Sequence, residues 1–214
     1  HATFKASLFM AAGIIDHETG TRDFRKLGGL IKHMPVTGAL AIVASLAMAG
    51  VPLLNGFLSK EMFLAETLAI GGEHQLLAWL VPALAVAASV FAVAYSLRFV
   101  DDVFFHGDCA ALDHVPHEPP RFMRVPVELL VVICVVVGVL PAATIGPLLA
   151  LGAGGVLQAP LPEYKLAIWH GFNLPLAMSA FGLVGGVVLY FILQRRRGLH
   201  RYDLPPLGKR AFDG

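Results

Sequence analysis

The feature that most constrains this chain is where its charges are missing. No Asp, Glu, Lys or Arg occurs from His33 to Ser59, from Thr67 to Gly72, from His74 to Leu97, from Leu129 to Pro162, or from Leu166 to Gln194. Several of these runs exceed the ~18 to 20 apolar residues that cross a bilayer. A soluble protein averages roughly 25% charged residues, whereas here 14% of 214 residues are charged and 57% are hydrophobic. The chain therefore reads as an integral membrane protein. Its spans must be helices, because a lone strand cannot satisfy its backbone groups in lipid. A net charge of +1 and an aromatic content of 9%, with no basic patch interleaved with stacking residues outside the tail, give no case for a nucleic-acid partner. Cys109 and Cys134 cannot build a disulfide framework, and Cys134 lies in an apolar run where a thiol behaves as a small hydrophobe. The chain begins at His1 without a basic leader or cleavage site, so it is expected to be a piece of something longer with no signal peptide.

Five apolar stretches are expected to span the membrane. His1 to Ile15 is the first and shortest, Asp16 to Met34 is a polar connection, and Val36 to Ile70 is the second stretch. Leu76 to Val100, Val127 to Leu149 and His170 to Leu193 follow. The second stretch is too long for one upright helix and too short for two full spans with a turn. Lys and Arg decide how to count it. With one crossing, every basic residue outside a span except Lys165 falls on one side of the membrane, Lys5 and Lys60 lying within spans. Two crossings would divide them far more evenly. The positive-inside rule therefore favours one crossing, with loops 16–35 and 101–126 and the C-terminus in the cytoplasm. A single crossing interrupted by Gly50-Val51-Pro52 and Asn55-Gly56 is a broken helix. Freed backbone groups are tolerated at membrane depth only against protein or a wet cavity, and discontinuous helices of this kind mark ion and substrate sites in transporters. The alternatives are a proline-kinked span without function, or a span over about 39–58 followed by an interfacial helix.

Lys60 follows the break, with Glu61 and Glu66 beyond it. A lysine in hydrocarbon costs roughly 2.5 to 3.5 kcal/mol on insertion scales, which makes it a functional candidate by default, the alternative being a lysine that snorkels to the interface. His1 and Lys5 are four residues apart and so share a helix face. Two protonatable groups one turn apart in an apolar segment suit a proton relay, the alternative being a helix end near water. If Lys5 and Lys60 faced each other at ~10 Å in an effective dielectric near 20, they would repel by about 1.7 kcal/mol. A proton arriving on one would then tend to expel the proton from the other.

His106, Cys109, His114 and His117 share one loop, but their spacing matches no standard zinc finger or ribbon, so no metal and no cofactor is expected. Glu128 reads as an interfacial residue beside Arg124, His170 and Asn173 as interhelical hydrogen-bonding groups, and Arg195-Arg196-Arg197 as a stop signal at lipid headgroups. The spans after Leu76 hold no internal acid or lysine, which suits packing or docking of partner subunits.

Several motifs resemble a known family. They are His1-Ala-Thr-Phe-Lys5-Ala-Ser-Leu-Phe-Met10-Ala-Ala-Gly13, Asp16-His17, Thr19-Gly20-Thr21-Arg22-Asp23, Gly28-Gly29-Leu30, Met34-Pro35 and the run from Ala49 through Gly50, Pro52 and Gly56 to Lys60-Glu61. Together they resemble the antiporter-like membrane subunits shared by Mrp-type multisubunit sodium/proton antiporters, respiratory complex I and membrane-bound hydrogenases. The loop after Asp16, with Pro116-His117-Glu118-Pro119-Pro120, the segment Trp169-His170-Gly171-Phe172-Asn173 and Arg210-Ala211-Phe212-Asp213, is more similar to the large A-type subunit of the Mrp antiporters.

The resemblance implies an all-α membrane bundle of about five transmembrane helices, the second discontinuous, cut from a larger inverted-repeat bundle. It implies residues 1–70 as the end of the antiporter-like core and residues 71–214 as additional helices and loops. It further implies Lys60 as the terminal proton-transfer group, His1 and Lys5 as part of the central polar axis, and Gly50, Pro52 and Gly56 as the helix break; Glu61, next to Lys60, is a secondary candidate from the sequence itself. The implied function is exchange of sodium for protons in a bacterial inner membrane, with other antiporter subunits and the lipid bilayer as partners. The runner-up is a proton-pumping subunit of an NADH:quinone oxidoreductase or hydrogenase. A membrane scaffold without an ion path and a membrane metalloenzyme are further readings. The scaffold predicts that Lys60 tolerates a neutral side chain, and the metalloenzyme needs the loop histidines to bind zinc.

Overall fold

The computed structural model describes residues 1–23, 26–70, 75–107, 109, 112, 115–159, 166–169 and 171–199, with side chains through Arg195 in the last helix. Among these the chain is all helical: α1 (Ala2–Thr19), α2 (Pro35–Ala49), α3 (Asn55–Ala69), α4 (Gln75–Val100), α5 (Arg121–Val139), α6 (Pro141–Thr144), α7 (Gly146–Leu157) and α8 (Leu174–Leu199). A 3-10 turn at Leu30–Lys32 precedes α2, and α4 continues as a π-helical turn over Asp101–Phe105. Three helices, α4 with its extension, α5 and α8, are long and apolar enough to cross a membrane; α2 and α7 are shorter apolar helices. The first two expected spans correspond to α1 and to the broken pair α2 and α3.

Charge pairing and helix caps place the element ends differently from the hydropathy pattern in three places. α1 runs a turn beyond Ile15 and stops at Gly20, whose left-handed conformation (φ 67°) lets its N–H reach the Asp16 carbonyl. The fourth span starts at Arg121 rather than Val127 and stops at Val139 rather than Leu149. Its charged first turns are held by Arg124, 3.5 Å from Glu118 and 3.8 Å from Glu128, and Pro141, which has no N–H to donate, starts a separate short helix. The fifth span starts at Leu174, because Asn173 caps it: the Asn173 Oδ1 accepts the Leu176 N–H at 2.8 Å. Asn173 is therefore a cap and not the interhelical partner expected from its place in an apolar run; His170 lies outside the described residues.

The second stretch is one traverse in two pieces. Gly38, early in α2, packs on Phe104 beyond the end of α4, while Lys60 in α3 lies near Ser89 in the middle of α4. α4 therefore runs antiparallel to α2 and α3. α8 runs parallel to α4, since Gly182 meets Ser89 and Gly186 meets Val93. The loops between these helices gather at one end. The Gly29 N–H reaches the His106 carbonyl at 3.2 Å, the Cys109 thiol donates to the Gly28 carbonyl, and Glu118 caps α2 by accepting the N–H groups of Val36 and Thr37 at 2.5 and 3.0 Å. In the core between α1, α2 and α5, α2 contributes the small residues Ala41, Ala44 and Ala47, which pack with larger side chains such as Ile14 and Phe4 of α1 and Val127 and Val131 of α5. Small side chains let membrane helices approach closely where water exclusion gives no driving force.

Candidate functional site: a lysine across a broken helix

The helix break begins with a glycine cap. Gly50 adopts φ 80°, a left-handed conformation that L side chains rarely take. The Gly50 N–H bonds the Ala47 carbonyl at 3.1 Å and the Val51 N–H bonds the Leu46 carbonyl at 3.0 Å, the paired pattern of a Schellman cap. Pro52 follows where a helix cannot resume, and Leu53 takes a positive φ of 70°, a strain of order 1 to 3 kcal/mol outside glycine. α3 then starts at Asn55, and its first turn lies directly on the last turn of α2. A Cβ on Gly56 would overlap the Ala47 carbonyl oxygen, and one on Gly138 of α5 would overlap the Leu53 oxygen. The interruption is thus a built feature and not a proline kink.

Lys60 closes the break. Its stem folds over Gly50, where a Cβ would lie 2.6 Å from Lys60 Cδ, and its Nζ donates to the Ala49 carbonyl at 3.0 Å. That carbonyl belongs to the last turn of α2 and has no partner within its own helix. A cation there also meets the negative end of the helix dipole.

Beside Lys60 is a cavity of 390 Å³ whose walls include His1 and Lys5 of α1, Lys60 of α3, and Ser89 and Tyr95 of α4. The structure so brings the three sequence candidates His1, Lys5 and Lys60 to one space. Lys5 Nζ lies 5.9 Å from the centre of the Tyr95 ring, within reach of a cation–π contact. The Tyr95 hydroxyl donates to Met48 Sδ at 2.9 Å, and the His1 ring meets Phe4 edge-on at 4.9 Å. A second cavity of 440 Å³ adjoins the first through Lys5, Met48 and Tyr95 and extends to Arg98. Glu61 is buried on α3 and is not among the residues lining the Lys60 cavity; Gly50 and Pro52 form the turn and Gly56 its far wall. Sequence reasoning missed Tyr95. Its signal was a phenol near the end of the charge-free run His74 to Leu97, where a polar tip needs a partner.

The loop histidines have other partners. His117 Nδ1 sits 2.9 Å from a Glu18 oxygen and His17 Nδ1 sits 3.0 Å from the other oxygen of the same buried carboxylate. His106 lies 2.8 Å from Asp101, and Cys109 is taken by Gly28. His106, Cys109 and His117 thus point to different groups, and His114 lies outside the described residues. At the same end Asp16 pairs with Arg22 at 2.8 Å, which raises the guanidinium's pKa above its ordinary value.

The described residues thus form an all-helical bundle with three membrane-length helices, in which a further helix is interrupted at a glycine cap and a lysine donates across the gap. Residues 1–94 match the family described as "NADH:quinone oxidoreductase/Mrp antiporter, TM". The similarity extends beyond them. The chain is 58% identical over 194 residues to a probable K(+)/H(+) antiporter A/B subunit of Rhizobium meliloti (strain 1021), covering 91% of this chain and 19% of that protein. It is 37% identical over 212 residues to the Na(+)/H(+) antiporter A subunit of Bacillus subtilis (strain 168), covering 94% of this chain and 26% of that protein. Its fold is similar to a chain of the Mrp complex from Dietzia sp. DQ12-45-1b, with a TM-score of 0.76 and 34% identity over 96% of this chain and 22% of that one. The chain thus spans 19% and 26% of the length of these two curated relatives.

Proposed function

We propose that this chain is part of the large A-type subunit of a multisubunit monovalent cation/proton antiporter, and that protons move through Lys60, Lys5 and His1. The observation that carries the reading is the single cavity lined by all three residues, with Lys60 held at the break by Ala49. Three protonatable side chains on a cavity of 390 Å³, room for several waters at about 30 Å³ each, can pass a proton through water. In this reading sodium or potassium is exchanged against that flow, the other antiporter subunits and the bilayer are the partners, and the protein is a transporter rather than a catalyst. Residues 1–70 end the antiporter-like core and residues 71–214 are additional helices. The membrane is a bacterial inner membrane, with loops 16–35 and 101–126 and the C-terminus on the cytoplasmic side. A second reading, a pumping subunit driven by electron transfer, is favoured by the family's shared membership with NADH:quinone oxidoreductases.

The test uses the full-length subunit with its partner subunits in everted membrane vesicles and follows a pH-sensitive dye after sodium or potassium is added. In the Lys60→Ala variant the complex should assemble and the cation-dependent pH change should disappear. Exchange equal to the parent's in an assembled variant would remove Lys60 from the path. No exchange in the parent with any alkali cation would favour the electron-driven reading.

A further inference from the structure

α8 lies wholly outside residues 1–94, yet it reaches the Lys60 ammonium. It packs along α4 through three glycines, and the space beside each differs. A Cβ on Gly185 would sit 3.1 Å from Val90 Cγ2, and one on Gly186 would overlap Val93 Cβ. These two glycines serve close helix packing. A Cβ on Gly182 would sit 2.9 Å from Ser89 Cβ and 3.5 Å from Lys60 Nζ. Of the three, Gly182 alone borders the ammonium.

Other groups on this seam are polar. Ser89 is buried and lines the cavity shared with His1 and Lys5. Ser179 precedes Gly182 by one turn on the same face of α8; it is 0% exposed, and its Oγ has no hydrogen-bond partner. A buried hydroxyl without a protein partner is a place where water completes the bonding. An ammonium has three N–H donors, of which Ala49 accepts one. We propose that α8 forms a wall of the Lys60 site and that Gly182 is a positioning residue, whose missing side chain keeps room beside the ammonium for water and for movement of the lysine as it exchanges its proton. The inference rests on the proton-path reading above.

The experiment compares Gly182→Ala with Gly185→Ala in the full-length protein, assembled with its partner subunits in everted vesicles. Exchange is measured per assembled complex over a range of cation concentrations. Gly182→Ala should lower the maximal rate by about tenfold, less than the ~10²-fold that a misplacement of ~1 Å can cost because the added Cβ would meet Lys60 Nζ at 3.5 Å, and leave the half-saturating cation concentration unchanged. Gly185→Ala, similarly tight against α4 but away from Lys60, should keep the parent's rate. Should Gly182→Ala not assemble, Gly182→Ala combined with Ser89→Gly relieves the contact with α4 while keeping the new methyl beside Lys60, and it is read against Ser89→Gly alone. Equal rates for Gly182→Ala and Gly185→Ala, or for the pair and Ser89→Gly alone, overturn the positioning role while leaving the antiporter reading standing. Absence of exchange in the parent overturns both.

Discussion

The Lys60 ammonium donates to the Ala49 carbonyl at 3.0 Å, linking the second half of the broken helix to the end of the first. The bond ties the candidate proton carrier to the backbone group that the break leaves open. Both partners depend on how the interruption is built, and substitutions there have separable effects.

Gly56→Ala should be the most damaging of the small changes at the break. Its methyl would overlap the Ala47 carbonyl oxygen, a backbone atom that cannot swing aside as a side chain can. Overpacking typically costs about 1 to 3 kcal/mol, and this contact belongs at the upper end. Thermal unfolding of the purified full-length complex in detergent should show a lowered midpoint or loss of assembled material.

At Gly50 the cost has two sources. Alanine must adopt φ 80°, about 1 to 2 kcal/mol for an L residue, and its methyl would meet Lys60 Cδ at 2.6 Å. The flexible stem can move, so Gly50→Ala should assemble better than Gly56→Ala and still lose exchange. Vesicle assays normalised to assembled complex test this, and an active Gly50→Ala would argue that the Lys60 to Ala49 bond is dispensable.

Tyr95 offers a graded comparison. Phenylalanine keeps the ring near Lys5 and loses the hydroxyl bond to Met48; alanine loses both. A partly exposed cation–π contact is worth about 0.5 to 1 kcal/mol, or a factor of about 2 to 5. Tyr95→Ala should therefore fall below Tyr95→Phe in exchange rate by a factor in that range. Equal rates would remove the ring from any role at Lys5.

Glu118 accepts two N–H groups at the start of α2 and the Thr37 hydroxyl at 3.0 Å. Its removal in Glu118→Ala should cost about 0.5 to 2 kcal/mol, the range for loss of a helix cap, and should lower the unfolding midpoint. Exchange per assembled complex should stay at the parent's level, since the cap is at the loop end of the bundle and Lys60 is beyond the break. A specific loss of exchange with an unchanged midpoint would contradict this.

The break and its lysine were legible because each violates the rule for its surroundings: Gly50 and Pro52 interrupt an apolar run, and Lys60 carries a charge into one. Hydropathy alone could not end the fourth span at Val139, because the residues after Pro141 are as apolar as those before it. Nor could it foresee Glu118 as the cap of α2, since the two are far apart in the chain and meet only when the loops gather. Gly182 reads in sequence as an ordinary small residue of a membrane helix. Its neighbour Lys60 belongs to a different span, and only the packing of α8 on α4 brings them together.

The contacts around the interruption also say which part of it can yield. Gly56 sets backbone against backbone between α3 and α2, and Gly138 does the same between α5 and the Leu53 turn. No compressible side chain cushions either junction, and close-packed interiors transmit displacement rather than absorb it. The two half-helices behave as a stiff mount braced by α5. The compliant element is the lysine stem itself, a flexible chain of methylenes ending in a rotatable ammonium. A swing of the Lys60 side chain would therefore need no displacement of the backbone at the break, with the helices serving as its frame.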